Sequence, residues 1–249
     1  AAEAAWDVTT RVTGVLVAVL DSGVSFAHPE FSQIHFLPGH DFAYDDDNPQ
    51  DDNGHGTHVL GILAAAMNNA QGIAGIAPGV SILPVKVLYG SGSGSWANIA
   101  EGITFAVDQG ADIISMSIGG PIGSEVLHAA VLYAAAHDVL LVTATGNTST
   151  NAPFYPAYYP ETFAVGATDS AGQLASLPTY PERRAAVPPG VGIWSTLWTL
   201  SDPITYGYLS GTSMAVPHVS GTAALILSVR PDLSSADLRA LIEQTAVIV

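Results

Sequence analysis

Five strand-length runs in this chain are apolar almost without a break, and they alternate with segments of helical period. The runs fall at 15–20, 82–88, 112–118, 139–145 and 163–168. Helix-period patterns fall at 55–67, 97–109, 124–137, 213–229 and 235–244. A strand apolar on both sides needs cover on both faces, and only a parallel sheet between helix layers provides that. The alternation therefore predicts an α/β fold: a single doubly wound, mostly parallel sheet with helices on both faces. With 249 residues and no internal repeat or linker, the whole span 1–249 reads as one domain. Gly90-Ser91-Gly92-Ser93-Gly94-Ser95 resembles a flexible linker but lies between a strand and a helix of that domain. Ser234 and Asp237 have capping-box spacing for the last helix.

Charge removes whole classes of function. The formal net charge is −16, with 22 acids against six basic side chains, and Lys86 is the single lysine. Nucleic-acid binding needs the opposite sign. No uninterrupted apolar run approaches the roughly 18 residues of a membrane span. The chain contains no cysteine, which excludes disulfides and thiol chemistry. The opening Ala1-Ala2-Glu3-Ala4-Ala5 has neither an initiator Met nor a basic region, so it reads as a processed or trimmed product.

Ligands of open α/β sheets bind beyond the carboxyl ends of the strands. Polar groups collect there. Asp21 ends the first run, Ser117 to Gly120 end the third, and Asn147 follows the fourth. His55 and Ser213 open helices that start on the same rim. Acyl transfer needs a nucleophile, a base, a group that orients the base, and donors for the oxyanion. A serine at a helix start meets free N–H groups and the positive end of the dipole. Pro217 is expected in the first turn of that helix, where proline is tolerated. His58, three residues beyond His55, leaves open a metal pair, against the plainer role of a packing residue.

These segments, taken in order, resemble the subtilase family, and within it the thermitase-like secreted subtilisins. The matching stretches are Val19-Leu20-Asp21-Ser22-Gly23, Asn53-Gly54-His55-Gly56-Thr57-His58-Val59, Gly146-Asn147 and Gly211-Thr212-Ser213-Met214-Ala215-Val216-Pro217-His218. The resemblance implies a serine endopeptidase acting on protein or peptide substrates. Ser213 would be the nucleophile, His55 the general base, and Asp21 the group that orients it. Asn147 and the Ser213 N–H would form the oxyanion hole. It also implies a substrate cleft edged by Ser91, Gly92, Ser93 and Gly94 on one side and by Ser117, Ile118 and Gly119 on the other. An extended peptide would add between them as a strand. Trp96 and Ile99 match an outer subsite. Ile118, Gly119, Gly120, Ala144, Thr145 and Gly146 would wall the pocket for the residue before the scissile bond, P1. No charge lies in those walls, so the P1 preference should be apolar. Phe154 stands where thermitase-like enzymes carry something small. Its ring either fills part of the P1 pocket or turns away to pack with Pro153.

The resemblance also implies structural calcium. Asp41, Asp45, Asp46, Asp47, Asn48, Gln50, Asp51 and Asp52 crowd one segment, as a hard cation or a solvated acidic loop requires. The family narrows the ligands to Asp41, Asp46, Asn48 and Gln50. A second site would use Glu30, Asn69 and carbonyls of Ala66, Gln71 and Ile73. Both ends read as short relative to the family, whose N-terminal arm helps hold a calcium loop. Secretion, a cleaved pro-segment that assists folding, and action as a monomer complete the expectation. Two other classes stay open at this point: a peptide-binding pseudoprotease, and a metallohydrolase built on His55 and His58. Segment 181–185 departs from the family without a functional account.

Overall fold

The computed structural model describes residues 6–9, 12–148, 152–175 and 186–246, so segment 181–185 lies outside it. Seven strands form the main sheet: β1 Leu16–Asp21, β2 His35–Phe36, β3 His40–Asp41, β4 Ser81–Lys86, β5 Ile113–Met116, β6 Leu140–Ala144 and β7 Phe163–Val165. Their order is β2-β4-β1-β5-β6-β7, with β3 also on β4, and every pairing is parallel. Among the described residues the α-helices are α1 His55–Ala64, α2 Trp96–Asp108, α3 Glu125–Ala136, α4 Thr212–Val229 and α5 Ser235–Thr245.

Alternate strand residues feed two cores. Val17, Val19, Ile113 and Val142 pack with Leu60 and Leu63 of α1 and with Val216 and Ala223 of α4. Ala18, Leu20, Ile114 and Leu141 pack with Ile103 of α2 and Leu127 of α3. This two-sided burial is why the strands read as continuous apolar runs. The chain leaves β1 towards β4 on one side, while β5 lies on the other. The strand order therefore switches between β1 and β5, the place where such sheets leave a crevice.

The structure departs from the expected elements in physical detail. The first helix stops at Ala64 rather than at position 67, because Ala65 turns to an extended conformation (φ −52°, ψ 148°). Ala66 then donates its N–H to Glu30 O. The Gly/Ser stretch is a turn, with Gly92 N bonded to Tyr89 O and Tyr89 N to Ser93 O. Pro217 is the sixth residue of α4, not a first-turn residue. A proline there leaves the carbonyl four residues back without its helical donor. That carbonyl, Ser213 O, accepts the Ser117 hydroxyl at 2.8 Å instead. The Ser234 hydroxyl caps α5 by accepting from Asp237 N.

Sequence patterning misses a second sheet, the antiparallel hairpin of β8 Ile193–Leu197 and β9 Thr205–Leu209. Its most deeply buried side chains are polar: Ser195 Oγ donates to His58 O and Thr196 Oγ1 to Thr57 O, while Ile193 and Leu209 are only partly buried, so no clean apolar alternation marks it. Among the described residues, α4 alone is long and apolar enough to cross a membrane, with mean hydropathy 1.3. Its buried residues instead pack in the core against the sheet.

Candidate active site

Asp21 is the last residue of β1 and His55 the first of α1. The carboxylate is buried, and its Oδ1 lies 2.7 Å from His55 Nδ1 and accepts from Ser22 N at 2.7 Å. Among the described residues, the buried Asp21 Oδ2 has no hydrogen-bond partner. Among the described residues the other ring nitrogen, Nε2, makes no hydrogen bond, and His55 lines the cleft. Burial opposes charge on His55 most strongly, but the charge and hydrogen bond of Asp21, with the charge of Asp51, outweigh it. The pKa stands above the ordinary 6.5.

Ser213 is the second residue of α4, whose N-cap, Gly211, has no side chain. Its hydroxyl donates to Ser117 O at 3.0 Å. Among the described residues no acceptor holds the Ser213 N–H. Asn147 is oriented from the same helix: its Oδ1 accepts from Thr212 N at 2.9 Å and lies 3.2 Å from Thr212 Oγ1. That leaves Nδ2 turned into the cleft. A Cβ on Gly211 would lie 3.0 Å from this Nδ2, so glycine leaves room for the amide.

His55, Ser213 and Asn147 line one cleft of about 500 Å³. The cleft is also lined by Gly92, Ser93, Gly94, Trp96 and Ile99, by Ala144 and Gly146, and by a wall of Ser117, Ile118, Gly119 and Gly120. Gly120 exchanges backbone hydrogen bonds with Tyr155, which fixes that wall to the following loop. Phe154 lines the cleft too, with its ring flat enough on Gly119 that a Cβ there would meet Cε1 at 2.3 Å. Two expected residues lie elsewhere. Ser91 is exposed outside the cleft with its hydroxyl on Ser93 Oγ, and Thr145 is buried with its hydroxyl on Val165 O. Asn53, Leu88 and Thr212 line the cleft unforeseen, although Asn53 and Thr212 stand inside the matching motifs. A more voluminous groove, about 780 Å³, lies along Pro121–Leu132 beside Tyr155 and Tyr159, and holds no nucleophile paired with a base.

His58 does not join His55. Its Nε2 sits 3.2 Å from Ile193 O and 3.1 Å from Gly207 O, so that nitrogen carries the proton. Burial, with His55 nearby, pushes its pKa down to about 4 against the pull of those two carbonyls. Among the described residues no group of three or more His, Cys, Asp or Glu side chains is placed to hold a metal. A catalytic metal on His55 and His58 finds no support here.

The model of the subtilase family matches residues 12–248 of this chain. Thermitase of Thermoactinomyces vulgaris is 46% identical over 242 residues, which cover 97% of this chain and 84% of thermitase. Subtilisin E of Bacillus subtilis is 43% identical over 239 residues, 94% of this chain and 61% of that protein. The chain belongs to the subtilase family. It is a subtilisin-like serine endopeptidase. A cold-adapted subtilisin-like serine proteinase superposes with a TM-score of 0.83 at 34% identity, over 93% of this chain and 81% of that one. Sphericase does so at 0.85 and 33%, over 94% and 83%.

The two calcium loci implied by the subtilase resemblance differ in fit. At the first, Asp41 Oδ1 accepts from Ala43 N and Tyr44 N, and Asp46 Oδ1 from Asn48 N. Gln50 reaches only Asp51 O, at 3.4 Å. Asp41 is buried, and burial raises its pKa despite those donors and Lys86. Two carboxylates and two amide oxygens with capacity to spare suit a hard cation. At the second, Glu30 is fully buried and already accepts three hydrogen bonds. Its Oε1 accepts from Ile73 N and Tyr206 OH at 2.9 Å each, and its Oε2 from Asn69 Nδ2 at 2.7 Å. Asn69 Oδ1 is taken by Gln71 N. Three donors on this carboxylate compete with a cation, so the second locus fits calcium less well than the first.

Proposed function

We propose that this subtilase cleaves peptide bonds through an acyl-enzyme on Ser213, with His55 as base and Asp21 as its orienting group. The observation that carries the reading is the 2.7 Å contact between Asp21 Oδ1 and His55 Nδ1, made on the rim where Ser213 and Asn147 line the cleft. Ser213 Oγ leaves Ser117 O by rotation about one bond and attacks the substrate carbonyl as its proton passes to His55 Nε2. Such contacts tighten only once substrate is bound. Asp21 stabilises the imidazolium without accepting its proton. The carbonyl oxygen, now negative, receives Asn147 Nδ2–H and Ser213 N–H. His55 returns the proton to the leaving amine, and a water repeats the sequence to free the acid.

The substrate is an extended chain paired between 91–94 and 117–119, with an apolar P1 side chain restricted by Phe154. Calcium binds at Asp41, Asp46, Asn48 and Gln50, where it stabilises the fold by mass action. An unfolding midpoint indifferent to added calcium and to chelator would remove that part. The enzyme is extracellular, acts as a monomer and matures from a pro-segment. The central test is labelling by a sulfonyl fluoride. Stoichiometric modification at Ser213, lost in Ser213→Ala, is the expected result. A folded, unlabelled and inactive chain would instead favour a peptide-binding pseudoprotease.

A further inference from the structure

His55 stands at the first position of α1, the positive end of a helix dipole. That position opposes an imidazolium, the form the base passes through. The N-cap of α1, Gly54, has a left-handed φ of 105° and no side chain to offer. The N–H groups at this helix start are met from outside by Asp51. Its Oδ1 accepts from Gly54 N at 2.9 Å, Asn53 N at 3.0 Å and Ser22 Oγ at 2.9 Å. Its Oδ2 accepts from Thr57 N at 2.9 Å and Thr57 Oγ1 at 2.5 Å. Ser22 Oγ takes the Gly56 N–H at 2.9 Å, and Ser22 N donates to Asp21 Oδ1. Two buried carboxylates, Asp21 and Asp51, thus grip the turn of His55 from either side, with Ser22 joining them.

We propose that Asp51 is a positioning residue of the hydrolytic reaction: it fixes the turn that carries His55 and places a second buried negative charge behind the imidazole, against the helix dipole. The inference rests on His55 being the base. Every contact of the Asp51 carboxylate is an acceptance, the pattern of an ionised group. The other charged groups around His55 are accounted for. Asp21 holds Nδ1. His58 is neutral in the working range, with its pKa near 4. Lys86, buried behind the loop, gives its ammonium to Ser22 O and to the Asp52 carboxylate. Asp51 is the remaining charge that favours protonated His55, in the same direction as Asp21.

The test is the pH profile of kcat/KM on one peptide substrate. In Asp51→Asn the acid limb should move about half to one pH unit lower, since an opposite charge near the base is lost. Its kcat should fall about 10-fold or more with KM little changed, as the turn loosens. Ser22→Ala breaks the link between the carboxylates but keeps both charges, so it should lower kcat and leave the limb in place. An unmoved limb in folded Asp51→Asn would reduce Asp51 to a structural cap and overturn the proposal. If Asp51→Asn does not fold, Asp51→Glu decides. Activity with the parental limb supports the role of the charge; inactivity or a displaced limb refutes it. Failure of the base assignment is distinct, because it would show as surviving activity in His55→Ala.

Discussion

The two helices that carry His55 and Ser213 begin in opposite ways. At the start of α1 the cap glycine is served by Asp51, and the positive end of the helix is met by a buried carboxylate. At the start of α4 the cap glycine gives its N–H to Gly190 O, and a neutral amide, Asn147, accepts from Thr212 N and Thr212 Oγ1. Ser213 N–H is left for an incoming group. Under the proposed mechanism, the difference follows the charge each end must tolerate. A base that becomes a cation is helped by a nearby anion, and an oxyanion is helped by an uncompensated helix end. One fold thus uses the same local element twice, with the capping chemistry reversed.

The largest effects test whether the two ends act as one unit. Ser213→Ala and His55→Ala should each lower turnover by about 10⁶, a magnitude for which subtilisin itself is the reference case. More than about 1% residual activity in a protease-free preparation of either would break the pairing. Next is the amide at the open end. Asn147→Ala should cost about 10²–10³ in kcat with KM little changed, again a range known from subtilisin. A loss confined to KM would mean that the amide binds substrate without stabilising the oxyanion.

A third measurement separates the helices by acid. His58 of α1 is buried and neutral, with its pKa near 4 against an ordinary 6.5. The unfolded chain binds this proton first as pH falls, so the contribution is whole above about 6.5 and disappears towards 4. The inactive Ser213→Ala chain should lose about 3 kcal/mol of stability across that window from His58 alone. Burial lowers the pKa of His28 and His218 as well, in the same direction. His58→Gln should flatten the dependence by one proton in denaturant titrations at several pH values, and an unchanged slope would remove His58 as the cause.

The smallest expected effect concerns the space in front of the open end. Phe154 lies on Gly119 within the cleft; on the proposed reading it limits the volume left for P1. Overpacking of about 1–3 kcal/mol amounts to roughly 5- to 150-fold against bulky P1 residues. Phe154→Gly, assayed on matched substrates with Ala, Leu and Phe at P1, should raise the Phe-to-Ala ratio of kcat/KM within that range. A constant ratio would show that the ring does not set the preference.

Much of this was legible beforehand because it depends on local pattern. Continuous apolar runs such as 139–145 can be satisfied only between two helix layers, and the two cores on either face of the sheet follow from that. Short motifs marked Asp21, His55, Asn147 and Ser213. The hairpin at Ile193–Leu197 and Thr205–Leu209 was not legible, because Ser195 and Thr196 bond helix carbonyls and give no apolar period. Pro217 was misplaced by one turn, because its lost helical partner is replaced by Ser117, about a hundred residues earlier in the chain.

The acidic segment shows the boundary most clearly. By composition alone, Asp41, Asp46, Asp51 and Asp52 are equivalent carboxylates in a loop that suits a cation or solvent. The sequence determined that they would be adjacent to His55 and numerous. Only the tertiary structure decided that Asp51 caps the helix of His55, that Asp52 pairs with the buried Lys86, and that Asp41 is buried on the N–H groups of Ala43 and Tyr44. The same holds for Glu30, whose partner Tyr206 comes from a hairpin far along the chain. Residue type fixes what a side chain is able to accept or donate. Which of those capacities is used depends on donors delivered by distant strands and helices, and that is set by how the layers pack.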